Sequence, residues 1–258
     1  MVGAIVGDVI GSVYEFRQTK DYNFRLFSPY STFTDDTVLT VAMADAILNN
    51  RDYGKVLKEY GRRYPHSGYG GAFKLWLLSD DMGPYNSWGN GSAMRVSPVG
   101  FAFDHIDQVL KEAEKSASVT HNHPEGIKGA QATALAIFLA RKGKSKTEIR
   151  EEIVTRFRYD LSRTCDEIRP TYKFHESCQE TVPEAIIAFL DSEDFEDAIR
   201  KAVSLGGDSD TLGAITGGIA QAYYKSIPKE MTRRVVDVLP EEFRETIEKF
   251  NKRYGIFY

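Results

Sequence analysis

Cysteine is scarce in this chain. There are two in 258 residues, Cys165 and Cys178, thirteen positions apart and in no C-x-x-C pair. That excludes a disulfide framework and a cysteine-based zinc cage, and two reduced, partly buried thiols are expected. A basic surplus is lacking as well. The 33 Lys and Arg are outnumbered by 37 Asp and Glu, a net charge of −4, so no general attraction to nucleic acid or anionic membrane is expected. No run of about 18 apolar residues exists, which argues against a membrane-spanning helix. The opening MVGAIVGDVIGSVYEF has no basic n-region and is interrupted by Asp8, so it does not read as a signal peptide, and a cytoplasmic location is expected. No segment alternates apolar and polar residues well enough for a strand. No linker, low-complexity tract or internal repeat of about 20–50 residues breaks the chain. The remaining expectation is an all-α fold, one domain over residues 1–258 with about ten helices.

What is present is oxygen-rich. Phe33-Thr34-Asp35-Asp36-Thr37 stands before the apolar run VLTVAMADAIL, and Gly206-Gly207-Asp208-Ser209-Asp210-Thr211 before LGAITGGIAQAYY. Thr and Asp are good N-caps, so two capped helices are the plainest reading. A cap needs one oxygen, however, and each cluster offers several. Neighbouring carboxylates repel unless a cation or a helix N-terminus offsets them. Brought together by folding, the clusters would form an all-oxygen site for one or two divalent ions, Mg²⁺, Mn²⁺ or Ca²⁺.

Other stretches add candidates. Residues 2–15 read as a buried helix with Gly3, Gly7 and Gly11 in one smooth stripe, and with Asp8 and Glu15 on one face. Asp8 is expected to make a structural hydrogen bond to nearby backbone, whereas Glu15 sits where the chain leaves that helix. Helices are also expected near 36–49, 53–64, 72–79, 106–118, 125–141, 146–157, 182–190, 195–204, 211–225, 229–238 and 241–253. Met82 to Gly100 carries four glycines among Asn86, Ser87, Trp88, Asn90 and Ser92. Exposed N–H groups in such a loop suit an anion, although a simple turn reads equally well. Thr120-His121-Asn122-His123-Pro124 offers two nitrogens, too few for zinc, so a hydrogen-bonding or substrate-facing role suits His121. Residues 158–181 are the least regular part, with Tyr172 and Phe174 as possible stacking rings.

Placed in order, the motifs resemble those of the ADP-ribosylglycohydrolase family, which includes dinitrogenase reductase-activating glycohydrolase. They are Gly7-Asp8-x-x-Gly11-x-x-x-Glu15, Thr34-Asp35-Asp36-Thr37, Gly89-Asn90-Gly91-Ser92-Ala93-Met94-Arg95, Thr120-His121 and Gly206-Gly207-Asp208-Ser209-Asp210-Thr211. The resemblance runs from residue 1 to about 225. It implies a compact all-α fold and two magnesium ions, with manganese as a substitute. It puts Thr34, Asp35 and Asp36 on the metals from one side, and Asp208, Asp210 and Thr211 from the other. Glu15 matches the family's acidic residue beside the scissile bond. Asn86, Ser87 and Trp88 fall at the diphosphate and nearby ribose, followed by Gly89, Asn90 and Gly91. Asn86 and Trp88 depart from the commoner Gly-Ser-Tyr. His121 matches a histidine near the distal ribose.

The activity so implied is hydrolysis of an N- or O-glycosidic bond between ADP-ribose and an acceptor, with Glu15 and Asp36 as the catalytic pair. The substrate would be an ADP-ribosylated protein, with arginine favoured, or a small molecule. Nucleic acid enters only as a modified substrate, no membrane partner is expected, and a monomer is the default. Two other readings stand beside it: a non-catalytic ADP-ribose-binding or structural relative, and a different metal-dependent hydrolase such as a phosphatase.

Overall fold

The computed structural model describes residues 1–257. Fifteen helices fill it among the described residues, and no strand longer than the single antiparallel bridge Gly89–Ser177 is present. The first six helices are α1 (Val2–Gly11), α2 (Asp35–Leu48), α3 (Tyr53–Arg63), α4 (Gly71–Leu78), α5 (Gly91–Met94) and α6 (Ser97–Ala102). Then come α7 (Ile106–Ser118), α8 (Pro124–Arg141), α9 (Lys146–Phe157), α10 (Cys165–Ile168) and α11 (Cys178–Leu190). The last four are α12 (Phe195–Ser204), α13 (Ser209–Tyr224), α14 (Lys229–Val238) and α15 (Glu241–Tyr254).

Helices α1 and α13 lie at the centre, and every residue of α1 is buried. Their packing follows from the glycine stripe. Gly3 faces Gly217, Gly7 faces Gly213, and Gly11 meets the backbone of Ser209 and Asp210. The pairs run in opposite directions, so the two helices are antiparallel. A Cβ at Gly3 would lie 2.2 Å from the Gly217 carbonyl oxygen, so this approach admits no side chain on either helix. Gln221 fastens one end, its Oε1 accepting from the Gly3 N–H at 2.8 Å. The largely buried helices α2, α8 and α11 surround this pair. Helices with one apolar and one charged face, such as α3, α7, α14 and α15, form the outer layer. One apolar cluster runs from Met1 to Ile256.

Local signals explain most boundaries. Ser145 and Glu148 close α9 with a capping box, and Thr164 with Glu167 does the same for α10. Two boundaries differ from expectation. Helix α1 stops at Gly11, not residue 15, because the chain turns there: Tyr14 N–H donates to the Gly11 carbonyl at 2.7 Å. Glu15 therefore sits on the following loop. Helix α11 starts at Cys178, not Val182, since Ser177 caps it and Pro183 is carried inside its early turns. A proline costs one backbone donor there, which reads in sequence as a helix start. The short helices α5, α6 and α10 were not anticipated. Ile256 and Phe257 are coil, with Gly255 in the left-handed region ending α15. Both cysteines are free and buried. No helix among the described residues is long and apolar enough to cross a membrane.

Candidate active site

The two acidic clusters meet. Asp36 in the first turn of α2 and Asp210 in the first turn of α13 form one group with Asp8 of α1, their carboxylate oxygens within 4.8 Å of one another. Asp210 also belongs to a second group, with Asp208 and Glu15, inside the same limit. The glycine contact between α1 and α13 is what sets Asp8 beside Asp210. Two helix N-termini point into the cluster, and their positive ends offset part of the repulsion.

Asp8 is the best-anchored member. It accepts from the Thr34 N–H at 3.0 Å, the Thr34 hydroxyl at 2.8 Å and the Thr37 N–H at 3.1 Å, and also from the Thr37 hydroxyl. The expected backbone bond of Asp8 is thus present, and its carboxylate also joins the group formed with Asp36 and Asp210. The Thr34 hydroxyl lies between Asp8 and Asp36 and is 3.4 Å from Asp36 Oδ2. Thr211 reaches the same Asp36 oxygen at 3.4 Å. The other Asp36 oxygen, Oδ1, is buried and has no hydrogen-bond partner. Asp35 lines the same cleft, beside Gly68, but belongs to neither tight group. Asp208 accepts at 2.7 Å from Asn90 Nδ2, which also donates to Thr181 at 3.2 Å.

The electrostatics show crowding. Burial, then the charges of Asp210, Asp8 and Glu176, push the Glu15 carboxyl up to about 8. Burial raises Asp8 and Asp208 to about 6, against the pull of the hydrogen bonds that each accepts. Burial and the surrounding carboxylates drive Asp35, Asp36 and Asp210 well above the usual range. Such a set holds its protons unless positive charge enters.

Glu15, Asp35, Asp36, Asp208 and Asp210 line a cleft of about 280 Å³, with Asp8 behind them. One wall is Ser87, Gly89, Asn90, Gly91 and His121; the other is Gly68, Gly70, Gly71 and Phe73. Phe174 and Glu176 overhang from the irregular loop. The loop is pinned because the Asn90 N–H donates to the Glu176 carbonyl at 2.8 Å and the Cys178 N–H to the Trp88 carbonyl at 3.0 Å. Asn86 and Trp88 themselves lie outside the lining. Asn86 takes a left-handed conformation (φ 55°), its N–H bonded to Asn122 Oδ1, and Trp88 is half-exposed. Tyr172 is also elsewhere. It packs over Gly207 and donates to the Glu180 carbonyl, so of these two rings only Phe174, stacked on Phe16, lines the cleft, where Phe73 and Tyr85 also stand.

Sequence reasoning passed over several residues here. Lys20 donates to the Tyr172 carbonyl at 2.6 Å and to the Leu205 carbonyl, tying the second acidic loop to the overhang. Nothing in its surroundings marks it. Glu176 has no local signal either, since its position depends on the Gly89–Ser177 bridge. Arg95 did carry one: an arginine inside Ala93-Met94-Arg95-Val96 has few places to go except the interior, and it is fully buried at the cleft.

The chain is similar to known proteins. The ADP-ribosylhydrolase ARH3 of Homo sapiens is 27% identical over 98% of this chain and 89% of its own length. ADP-ribosylarginine hydrolase Tri1 of Pseudomonas putida is 27% identical over 91% of this chain and 72% of its own. A solved structure described as an ADP-ribosylglycohydrolase-related protein complex superposes with a TM-score of 0.74 at 23% identity, over 100% of this chain and 97% of that one, and so shares the fold. The family profile for ADP-ribosylglycohydrolase matches residues 1–256, and the chain belongs to that family of enzymes.

Proposed function

We propose that the chain is a divalent-cation-dependent hydrolase that cleaves the bond between C1 of a ribose in ADP-ribose and an acceptor atom. The observation that carries this reading is the pair of carboxylate groups sharing Asp210 at the floor of one cleft. Their donors are all oxygen, which suits Mg²⁺ or Mn²⁺. The partnerless Asp36 Oδ1 supports the fit, because a buried acceptor without a donor is costly unless a cation meets it. The shared Asp210 supports two adjacent ion positions. Asp36, Asp208, Asp210 and Thr211 would hold them, with Asp35 and Thr34 beside them. Asp8 contributes charge and fixes Thr34 and Thr37. The chemistry such ions would supply is acidification of water and a grip on sugar hydroxyls.

The chain's own groups do the rest. Positive charge develops near C1 as the bond loosens, and the ring of carboxylates stabilises it. Glu15 is half-buried at the edge of the cluster, where burial and the neighbouring carboxylates raise its carboxyl, and it is the group placed to pass a proton to the leaving acceptor. Ser87, Gly89 and Gly91 offer a narrow wall for the diphosphate side, and Phe174 an apolar face for a base or ribose. The favoured acceptor is arginine, as in the name of the Pseudomonas putida relative. The chain is proposed to act as a cytoplasmic monomer.

The test is a panel of arginine-linked, serine-linked and small-molecule ADP-ribose conjugates, with Mg²⁺ and with chelator, read as free ADP-ribose. Cation-dependent release supports the proposal. Binding of ADP-ribose with no turnover on any conjugate would make the chain a binding module. Release of inorganic phosphate instead would make it a phosphatase.

A further inference from the structure

His121 stands on the cleft wall with its Nε2 against the glycine loop; a Cβ at Gly91 would lie 3.1 Å from it. Nε2 has no hydrogen-bond partner among the described residues, while the other ring nitrogen, Nδ1, lies 2.8 Å from the Thr120 hydroxyl. The same hydroxyl accepts from Arg95 at 2.8 Å, and Arg95 also donates to the Ser116 carbonyl at 3.2 Å. Arg95 and Thr120 have no solvent exposure at all.

Hydrogen-bond accounting then fixes the proton positions. A guanidinium only donates, so Thr120 Oγ1 must accept from it. The Thr120 hydroxyl proton has one acceptor within reach, His121 Nδ1. If Nδ1 carried a proton instead, the hydroxyl proton would be buried without a partner. Nδ1 is therefore bare. Burial, and then the neighbouring guanidinium, hold the imidazole well below its ordinary value, so the ring is neutral with its proton on Nε2.

We propose that Arg95 and Thr120 form a positioning relay that locks His121 in the Nε2–H tautomer, so that it presents a fixed hydrogen-bond donor to an acceptor oxygen of the ligand in the cleft. Arg95 and Thr120 are positioning residues, since each acts through the imidazole. The relay gives the buried Arg95 a purpose that packing does not: among the described residues no carboxylate pairs with it and its Nε and Nη1 have no partner, yet its Nη2 orients the one hydroxyl that reads Nδ1. The choice of ligand rests on the function proposed above; the tautomer does not.

The test uses full-length protein labelled with ¹⁵N at histidine, with the His121 signals assigned by His121→Asn. Long-range ¹H–¹⁵N spectra of the free protein should show Nε2 protonated and Nδ1 bare. Thr120→Val removes the hydroxyl at nearly constant shape and should give a mixture of tautomers, while Thr120→Ser keeps the wild-type pattern. Calorimetry with ADP-ribose in Mg²⁺ should show affinity about tenfold weaker in Thr120→Val, roughly the worth of one hydrogen bond, and restored in Thr120→Ser. An Nδ1–H signal in the wild type, or an unchanged tautomer in Thr120→Val, overturns the relay. If Thr120→Val does not fold, the wild-type spectrum alone decides. A wild type with the expected tautomer that fails to bind ADP-ribose overturns the ligand assignment and leaves the relay standing.

Discussion

Gly7 and Gly213 pack backbone to backbone: a Cβ on Gly7 would fall 1.9 Å from the Gly213 carbonyl oxygen. That contact sets the distance between α1 and α13, and hence between Asp8 and Asp210. The geometry of the carboxylate cluster depends on it, although neither glycine touches the cleft.

Gly7→Ala should therefore destabilise the protein and spoil the site together. Alanine favours helix by about 1 kcal/mol over glycine, but the clash is with backbone, which cannot swing aside. Overpacking of this kind costs about 1–3 kcal/mol or more, so the loss wins. Gly83→Ala has open space around it and should change stability by less than about 0.5 kcal/mol. Denaturant melts of both variants check this, and calorimetric Mg²⁺ titration should show weakened binding only for Gly7→Ala.

The stabilising effect of Mg²⁺ should grow with pH. Glu15 is raised to about 8, and Asp8 and Asp208 to about 6, in the metal-free fold. A raised carboxyl binds its proton more tightly folded than unfolded, so its contribution to stability is present at low pH. That contribution is lost as pH rises from about 4 in the unfolded chain through the folded values. A cation removes this penalty by binding the ionised folded form. Thermal melts with saturating Mg²⁺ and with chelator should thus differ more at pH 8 than at pH 5; an equal shift at both would contradict the cluster's role.

Asp36→Asn and Asp210→Asn should lower turnover by on the order of 100-fold or more through lost cation affinity. Circular dichroism should show helix content retained. Full activity of both in metal-depleted buffer would refute the cation mechanism.

Glu15→Gln should separate chemistry from metal binding. The side chain is half-buried and joins one carboxylate group only. Turnover should fall by about 10²–10⁴-fold, while Mg²⁺ affinity falls less than in Asp210→Asn, whose residue serves both groups. The high-pH limb of the rate profile should disappear with the acid.

Asn90→Ala should weaken Mg²⁺ binding by about tenfold. Its amide holds Asp208 Oδ2 at 2.7 Å, so the loss is one of orientation, not of a ligand. Asp208→Asn is the comparison and should cost more.

The sequence by itself determined the helical class, the two oxygen-rich helix starts and the glycine stripe, because each is a local pattern of three to eleven residues whose physics needs no distant partner. Asp36, Asp208 and Asp210 were legible for that reason. What only the tertiary structure decided is which groups stand together. Glu15 reaches Asp208 from a loop and not from a helix face, since α1 ends where Gly11 meets the α13 backbone. Asn90 turned out to serve Asp208, and Trp88 to face outward, because the glycine loop is pinned by residues 176–178 far along the chain. Lys20, Glu176 and Arg95 gain their places from partners about 20 to 190 positions away. Distances of that kind are set by the packing of whole helices, and no short stretch of sequence contains them.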